Sequence, residues 1–283
     1  MTAFIDRPVG PFEKAVDFWM DATGSKLWET KGEHGEFATL IPPGGDAYLR
    51  VQRVDDGGGT HLDLHVDDAD GLAERALSAG GTVSESVRGS AVAWSPGGMP
   101  CCLVDHHGEA TRPGPVITAS GASSLVDQVC VDSPADLFDA ECRFWSALTG
   151  WVLQSSSLHE EFRFLIRPTW SPIRLLLQRR EDDDGPTRAH LDFASDDVRS
   201  TVADHTSLGA RVLHDDEHWT CMVDPAGFAY CLTSRRPGTG LLATPVTGYG
   251  ADSDPTNPGP TYVGPTNPEP RKLGPTRLEA SGR

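Results

Sequence analysis

The octet HLDLHVDD at 61–68 returns as HLDFASDD at 190–197, which is 129 residues later. It does not return alone. VDFWMDATG at 16–24 is matched by CRFWSALTG at 142–150, and YLRVQRV at 48–54 by RLLLQRR at 174–180, both at a spacing of 126. SPGGMPCCLV at 95–104 is matched by DPAGFAYCLT at 224–233, again at 129. Four matches in one order, with one short insertion before the second octet, mark a duplicated domain. No other feature constrains the fold as much, because a single architecture must satisfy both copies.

Each copy reads as βαβββ followed by βαβββ. In the second copy, LVDQVCV at 125–131 is a β-rich run. Ser133 is expected to cap a helix with Pro134 at its first position. Leu137, Phe144, Trp145 and Leu148 share one helical face, and Gly150 stops the helix. Strands are expected near 151–155, 161–167 and 173–178. HLDFAS then forms a strand, and a helix runs from Asp197 to Leu208 and stops at Gly209. Further strands are expected near 211–214, 218–223 and 229–233. The first copy repeats this order, with helices near 11–23 and 69–79 stopped by Gly24 and Gly80. The expected fold class is α+β: tandem βαβββ modules, two per domain and four in all, forming curved half-open sheets. A sheet covered by helices on one side offers its other face to a cavity.

The domain limits expected from the repeat are 1–115 and 121–236. From Pro237 the composition changes: residues 237–283 hold nine Pro and eight Gly, with the echo PTNPGPTYVG and PTNPEPRKLG. This reads as a disordered tail, since it cannot bury enough apolar surface to offset the entropy of ordering. The net charge of −17 lies in residues 1–236 and repels nucleic-acid phosphates and anionic lipid. No run approaches the roughly 18 apolar residues of a spanning helix, and no secretory signal is visible, so a cytoplasmic protein is expected. The six cysteines form no CxxC pair and read as reduced, mostly buried thiols.

FWxxxTG at the end of the first helix, HLDL opening the second module and DPxGxxxxL in the last strand carry a resemblance. The chain resembles the vicinal oxygen chelate superfamily of glyoxalase I, extradiol dioxygenases and bleomycin-resistance proteins, and is most similar to two-domain glyoxalase-like proteins. The resemblance covers nearly all of residues 1–235. It implies paired βαβββ modules and a site built from first and last strands, with His, Glu or Gln as the usual ligands. Carried onto this chain, those positions hold Gln128, Gln178, His190 and Cys231 in the second copy. In the first they hold Arg7, Gln52, His61 and Cys102.

His61, Asp63 and His65 alternate with Leu62, Leu64 and Val66, so in a strand they share a face. They are either a ligand-binding row or histidines satisfied within the sheet. The second copy keeps His190 and Asp192 of this row. Trp19 and Trp145 lie on apolar helix faces and read as core. Gly57–Gly59 reads as a flexible loop. SPGG replaces DPAG in the first copy and loses the turn-capping Asp, so the second copy is expected to keep more of the pocket. The leading expectation is a metal-free protein that binds a hydrophobic or aromatic metabolite or drug, with no nucleic-acid or membrane partner, as a monomer or homodimer. Its binding residues would be His61, Asp63, His65, Gln52, Gln128, Gln178, His190 and Asp192. One alternative is a lyase, isomerase or dioxygenase whose divalent metal is held by His190, Gln128 and Gln178 and acts as a Lewis acid. Another is a scaffold with filled pockets whose tail recruits a partner. Whether the chain is an enzyme stays open.

Overall fold

The computed structural model of the chain describes residues 1–84, 90–106, 108–157, 159–181 and 185–242. The first copy contributes β1 (Thr2–Pro8), α1 (Phe12–Thr23), β2 (Lys26–Leu27), β3 (Phe37–Ile41), β4 (Leu49–Val54), β5 (Gly59–Val66), α2 (Ala69–Ser78), β6 (Thr82–Val83), β7 (Ser90–Trp94) and β8 (Pro100–Asp105). Its strands form one sheet in the order β2-β3-β4-β1-β5-β8-β7-β6. β1 runs parallel to β4 and antiparallel to β5, which is the seam between the two modules.

A short β9 (Val116–Ile117) leads into the second copy. There follow β10 (Ser123–Ser133), α3 (Phe138–Thr149), β11 (Val152–Ser155), β12 (Phe162–Ile166), β13 (Arg174–Arg179), β14 (Arg188–Ser195), α4 (Val198–Ser207), β15 (Arg211–Asp215), β16 (Trp219–Val223) and β17 (Ala229–Ser234). The second sheet repeats the first, as β11-β12-β13-β10-β14-β17-β16-β15, with β9 added beside β10. The fold is α+β, with two repeated domains and open, mixed sheets. No helix of the described residues is long and apolar enough to cross a membrane.

Two expectations need correction. α3 starts at Phe138, not at Pro134. β10 continues through Ser133, which pairs with Arg179, and the Ser133 hydroxyl donates to the Pro134 carbonyl instead of capping a helix. Residues 134–137 then close a turn, with the Leu137 N–H donating to Pro134 O at 3.1 Å. The second correction concerns the start of the tail. Residues 237–242 form a turn that packs on the domain: Arg112 donates to Pro237 O and Gly238 O, and Arg174 to Gly240 O. The Arg174 guanidinium is buried and needs an acceptor. Gly240 brings one close because it sits at φ +76, where a Cβ would be 2.9 Å from Arg174 Nη2. The remaining tail, 243–283, lies outside the described residues.

The helices pack on their own sheets, and α1 and α3 also reach across to the other copy. Trp19 of α1 stacks on Phe193 of β14 at 5.8 Å and 11°, and meets Tyr230 of β17 at 5.5 Å. Phe18 of α1 meets His205 of α4 edge-on at 5.6 Å. The exchange is reciprocal. Phe144 of α3 lies where a Cβ on Gly81, just after α2, would approach within 2.5 Å. Glu141 of α3 is buried and accepts from the Ser95 hydroxyl and the Gly97 N–H, both at 2.6 Å, and from the Trp145 indole at 2.8 Å. Thus SPGG, which lacks the turn aspartate, receives a carboxylate from the other copy. In DPAG the carboxylate is its own: Asp224 accepts from the N–H groups of Ala226 and Phe228 and from the Trp19 indole. Each buried indole removes roughly 200 Å² from water, a gross gain of about 5 kcal/mol. One core therefore runs through both copies.

His205 carries a pH dependence. Burial holds its imidazole down at about 4, opposed only in part by Asp204. Its Nδ1 lies 3.0 Å from the Tyr230 hydroxyl, and its Nε2 has no hydrogen-bond partner among the described residues. The folded state keeps this ring neutral, while the unfolded state protonates it below about 6.5. Its contribution is therefore present above pH 6.5 and is lost as pH falls from 6.5 toward 4. Between pH 6.5 and 5 we expect wild type to lose about 1–2 kcal/mol more than His205→Phe, measured by denaturant unfolding at each pH. Parallel curves for the two proteins would refute this.

Candidate functional site

Strand register puts equivalent residues at equivalent points of the two sheets. His61 pairs with Phe4 across β1 and β5, and His190 pairs with Cys130 across β10 and β14. Asp6 pairs with Gln52, and Asp132 with Gln178. Asp63 pairs with Cys102, and Asp192 with Cys231. This alternation collects Cys130, Asp132, Gln178, His190, Asp192 and Cys231 on one face of the second sheet. The register corrects one correspondence. Thr2 faces Asp63 as Gln128 faces Asp192, so the first copy's equivalent of Gln128 is Thr2 and not Arg7. The Arg7 guanidinium pairs with Asp224 at 2.7 Å.

In the second sheet, His190 Nδ1 lies 2.7 Å from Asp132 Oδ2. Its Nε2 lies 3.2 Å from Asp192 Oδ1 and 3.5 Å from Cys231 Sγ. The Cys130 thiol reaches Gln178 Oε1 at 3.5 Å and Asp132 Oδ1 at 3.6 Å. Cys221 of β16 faces Cys231 of β17, with the two sulfurs 2.9 Å apart. Gln128 is differently occupied: its amide nitrogen donates to Asp192 and its oxygen accepts from Arg235, each at 2.5 Å. Burial alone would lower the His190 imidazole, but Asp132 and Asp192 outweigh it and hold it well above the ordinary histidine value. Burial, with Asp132 and Asp192 nearby, pushes the Cys130 thiol up. The Cys231 S–H donated to Cys221 draws the Cys221 thiol down and pushes Cys231 up.

In the first sheet Phe4 stands beside His61, where the second sheet has Cys130 beside His190. His61 Nδ1 lies 2.5 Å from Asp6 Oδ2, and the Phe4 ring stacks on the imidazole at 4.5 Å. Phe37 meets Phe4 edge-on, and the Arg50 guanidinium lies 5.6 Å from the Phe4 centroid and 3.9 Å from Asp63. Burial raises the Asp63 carboxyl, which His61 opposes. His65 is buried against Glu109 at 3.0 Å. Gln52 sits opposite both Asp6 and Phe37.

Over the second sheet there is instead a cleft of about 1170 Å³. Asp132, Gln178, His190, Cys221 and Cys231 line it on the sheet, Phe228, Leu213, Ala135 and Ala229 add apolar surface, and charged side chains such as Glu160, Glu161, Arg179 and Arg188 make up much of the rest. Gly58–Thr60 of the first copy also border it. Gly58 in particular is held closely. A Cβ on Gly58 would come within 2.7 Å of both Asp6 O and the Phe228 ring, so it is clamped between the copies. Phe162 of β12 meets Trp219 of β16 edge-on at 5.8 Å, so the two arms of the sheet touch. Trp28 and Trp170 are exposed.

Sequence reasoning passed over Asp132, Cys130 and Cys221. The first two were legible, because Gln128, Cys130 and Asp132 alternate in one strand. Cys221 needed the hairpin register that sets it opposite Cys231.

A family model described as a glyoxalase-like domain matches residues 3–104 and 128–233. No curated protein is significantly similar in sequence. Among solved structures, the chain is similar to a triple mutant of 4-hydroxymandelate synthase from Streptomyces coelicolor, at 17% identity over 85% of this chain and 94% of that one, with a TM-score of 0.57. It is similar to a Mn(II)-bound glyoxalase from Novosphingobium aromaticivorans, at 17% identity over 81% of this chain and 80% of that one, with a TM-score of 0.58. It is also similar to 2,2',3-trihydroxybiphenyl 1,2-dioxygenase from Sphingomonas wittichii, at 16% identity over 82% and 88%, with a TM-score of 0.52. At these identities the likeness is one of fold.

Proposed function

We propose that this chain, which belongs to the glyoxalase-like domain family, binds a small hydrophobic or aromatic molecule in the cleft of its second sheet, without a Mn(II)- or Fe(II)-type catalytic centre. The observation that carries this reading is the difference between the two sheets. Phe4 occupies the first at His61, whereas the equivalent space at His190 opens into a cleft of about 1170 Å³. The wall mixes apolar surface at Phe228 and Leu213 with many charged side chains, and convergent polar groups fix the orientation of a bound small molecule. In it Asp132, Gln178 and His190 would orient the polar end of the ligand, and Phe228 would lie against its ring.

One solved neighbour is named as Mn(II)-bound, and the donors here argue against that ion. Hard divalent cations favour carboxylate, carbonyl and water oxygens, and Fe(II) oxygenases use two imidazoles with one carboxylate. This site has one imidazole, with a carboxylate at each ring nitrogen, and thiols on the remaining sides. The Gln128 amide is spent on Asp192 and Arg235.

The test is a thermal-shift screen of single-ring phenols, quinones and aromatic acids against chelator-treated protein. The expected result is saturable binding at one site, at least tenfold weaker in Ala229→Trp, which puts a bulky ring on the cleft wall. Binding that appears only after Mn(II) or Fe(II) is restored would overturn the reading and favour a metal-dependent lyase, isomerase or dioxygenase. Affinity unchanged by Ala229→Trp would move the site elsewhere.

A further inference from the structure

Two thiols face each other across the hairpin that walls the cleft. Cys221 of β16 pairs directly with Cys231 of β17, and their sulfurs lie 2.9 Å apart. Both are free thiols, and both line the cleft. Residues directly opposite in an antiparallel pair have Cα atoms about 4.5 or 5.5 Å apart. A disulfide spans Cα separations of about 4.4–6.8 Å, so this register brings the pair within bonding reach with the backbone in place. The sulfurs need to close by about 0.9 Å to reach the ordinary bond length. Cys221 is half-buried on the cleft wall, so a small oxidant in the cleft reaches it, while Cys231 is almost covered. The other cysteines are placed differently. Cys101 and Cys142 are buried, and the Cys130 thiol is directed at Gln178 and Asp132. In the first sheet Cys102 faces Val92, so the same register there holds one sulfur.

We propose that Cys221 and Cys231 are a redox modification site, which a peroxide entering the cleft converts to a cross-strand disulfide and a thiol reductant restores. The Cys221 sulfur gives an electron pair to one oxygen of hydrogen peroxide. The O–O bond breaks, leaving a Cys221 sulfenic acid and one water. The Cys231 sulfur then attacks the Cys221 sulfur and the S–O bond breaks. The hydroxyl leaves with the Cys231 proton as a second water, and the S–S bond forms. The two thiols together lose two electrons and two protons, and the peroxide takes them up as it becomes two waters. A bond that faces an open cleft is of the exchangeable kind, so a reductant that enters the cleft reverses it. Closure also removes the Cys231 thiol that lies 3.5 Å from His190 Nε2.

The test is read on peptide masses and needs no ligand. Ligand binding without the disulfide sinks only this assignment, and the disulfide without ligand binding sinks only the other. The full chain, reduced and treated with chelator, is exposed to a small excess of hydrogen peroxide, quenched, and labelled with a maleimide in denaturant. Trypsin releases residues 212–235 as one peptide, which holds Cys221, Cys231 and no other cysteine. We expect that peptide to become lighter by two hydrogens and its maleimide labelling to fall at least tenfold, both reversed by a dithiol reductant. The other four cysteines should keep their label. Cys102→Ser should respond as wild type does, whereas Cys221→Ser should keep Cys231 labelled, because the sulfur that meets the peroxide is gone. The wild-type measurement carries the test even where a variant fails to fold. Full labelling of the 212–235 peptide after peroxide would overturn the assignment. So would oxygen retained on Cys221 with no bond closed, or a reducible link from either thiol to Cys130.

Discussion

Asp224→Ala is expected to destabilise the protein by about 3–5 kcal/mol, the cost of stranding a buried charge. Asp224 accepts from Arg7 Nε and Nη2 at 2.7 Å, from the Trp19 indole at 3.1 Å and from two backbone N–H groups of its own turn. Arg7 is 2% exposed, and burial draws its guanidinium down while Asp224 holds it up. Without the carboxylate, the guanidinium keeps the carbonyl oxygens of Asp6 and Gly59 and loses its only described ion pair. For a chain of this size the loss corresponds to a fall in Tm of roughly 10 °C. Calorimetry and guanidinium unfolding measure it. Arg7→Leu combined with Asp224→Leu should recover more than half of the loss, because no charge then remains unpaired. A single-mutant cost below about 1 kcal/mol would mean that this pair does not join the copies.

Trp19→Ala is expected to cost a similar 3–5 kcal/mol, from lost contacts and the cavity left behind. Its distinguishing effect is where the damage appears. Trp19 belongs to the first copy but packs on Phe193 and Tyr230 of the second sheet. Amide hydrogen exchange should therefore accelerate in β14 and β17, beneath the cleft, as well as in α1. Acceleration confined to residues 1–105 would show that the helix does not support the second sheet. Trp19→Phe keeps much of the stacking and loses the indole bond to Asp224, at about 1–2 kcal/mol. Trp19 and Asp224 touch, so their effects will not add.

The helix ends show what local chemistry can and cannot signal. Gly24 and Gly150 were legible as stops because a residue at φ 61 or 71 is costly for anything but glycine. Ser133-Pro134 carried the same kind of signal for a start and misled, because pairing with β13 held Ser133 in the strand. Local capping preference is worth about 1 kcal/mol, and tertiary pairing overrode it. At the site, His190 and Asp192 were readable from the repeated octet. Their meaning was not, because it depends on the strands opposite: Phe4 beside His61, and Cys130 beside His190.

The sequence by itself determined the duplication, the βαβββ order, the two sheets and the faces on which the polar rows lie. Periodicity and turn chemistry are short-range, and each copy had to obey them twice. Only the tertiary structure decided that α1 reaches the second sheet, that Glu141 supplies the carboxylate SPGG lacks, and that Phe4 lies on His61 in one sheet while a cleft lies over His190 in the other. Those outcomes depend on contacts between residues 44 to 217 positions apart, for which the chain carries no local signal. They depend as well on single side chains whose size or charge acts only once the two copies have met.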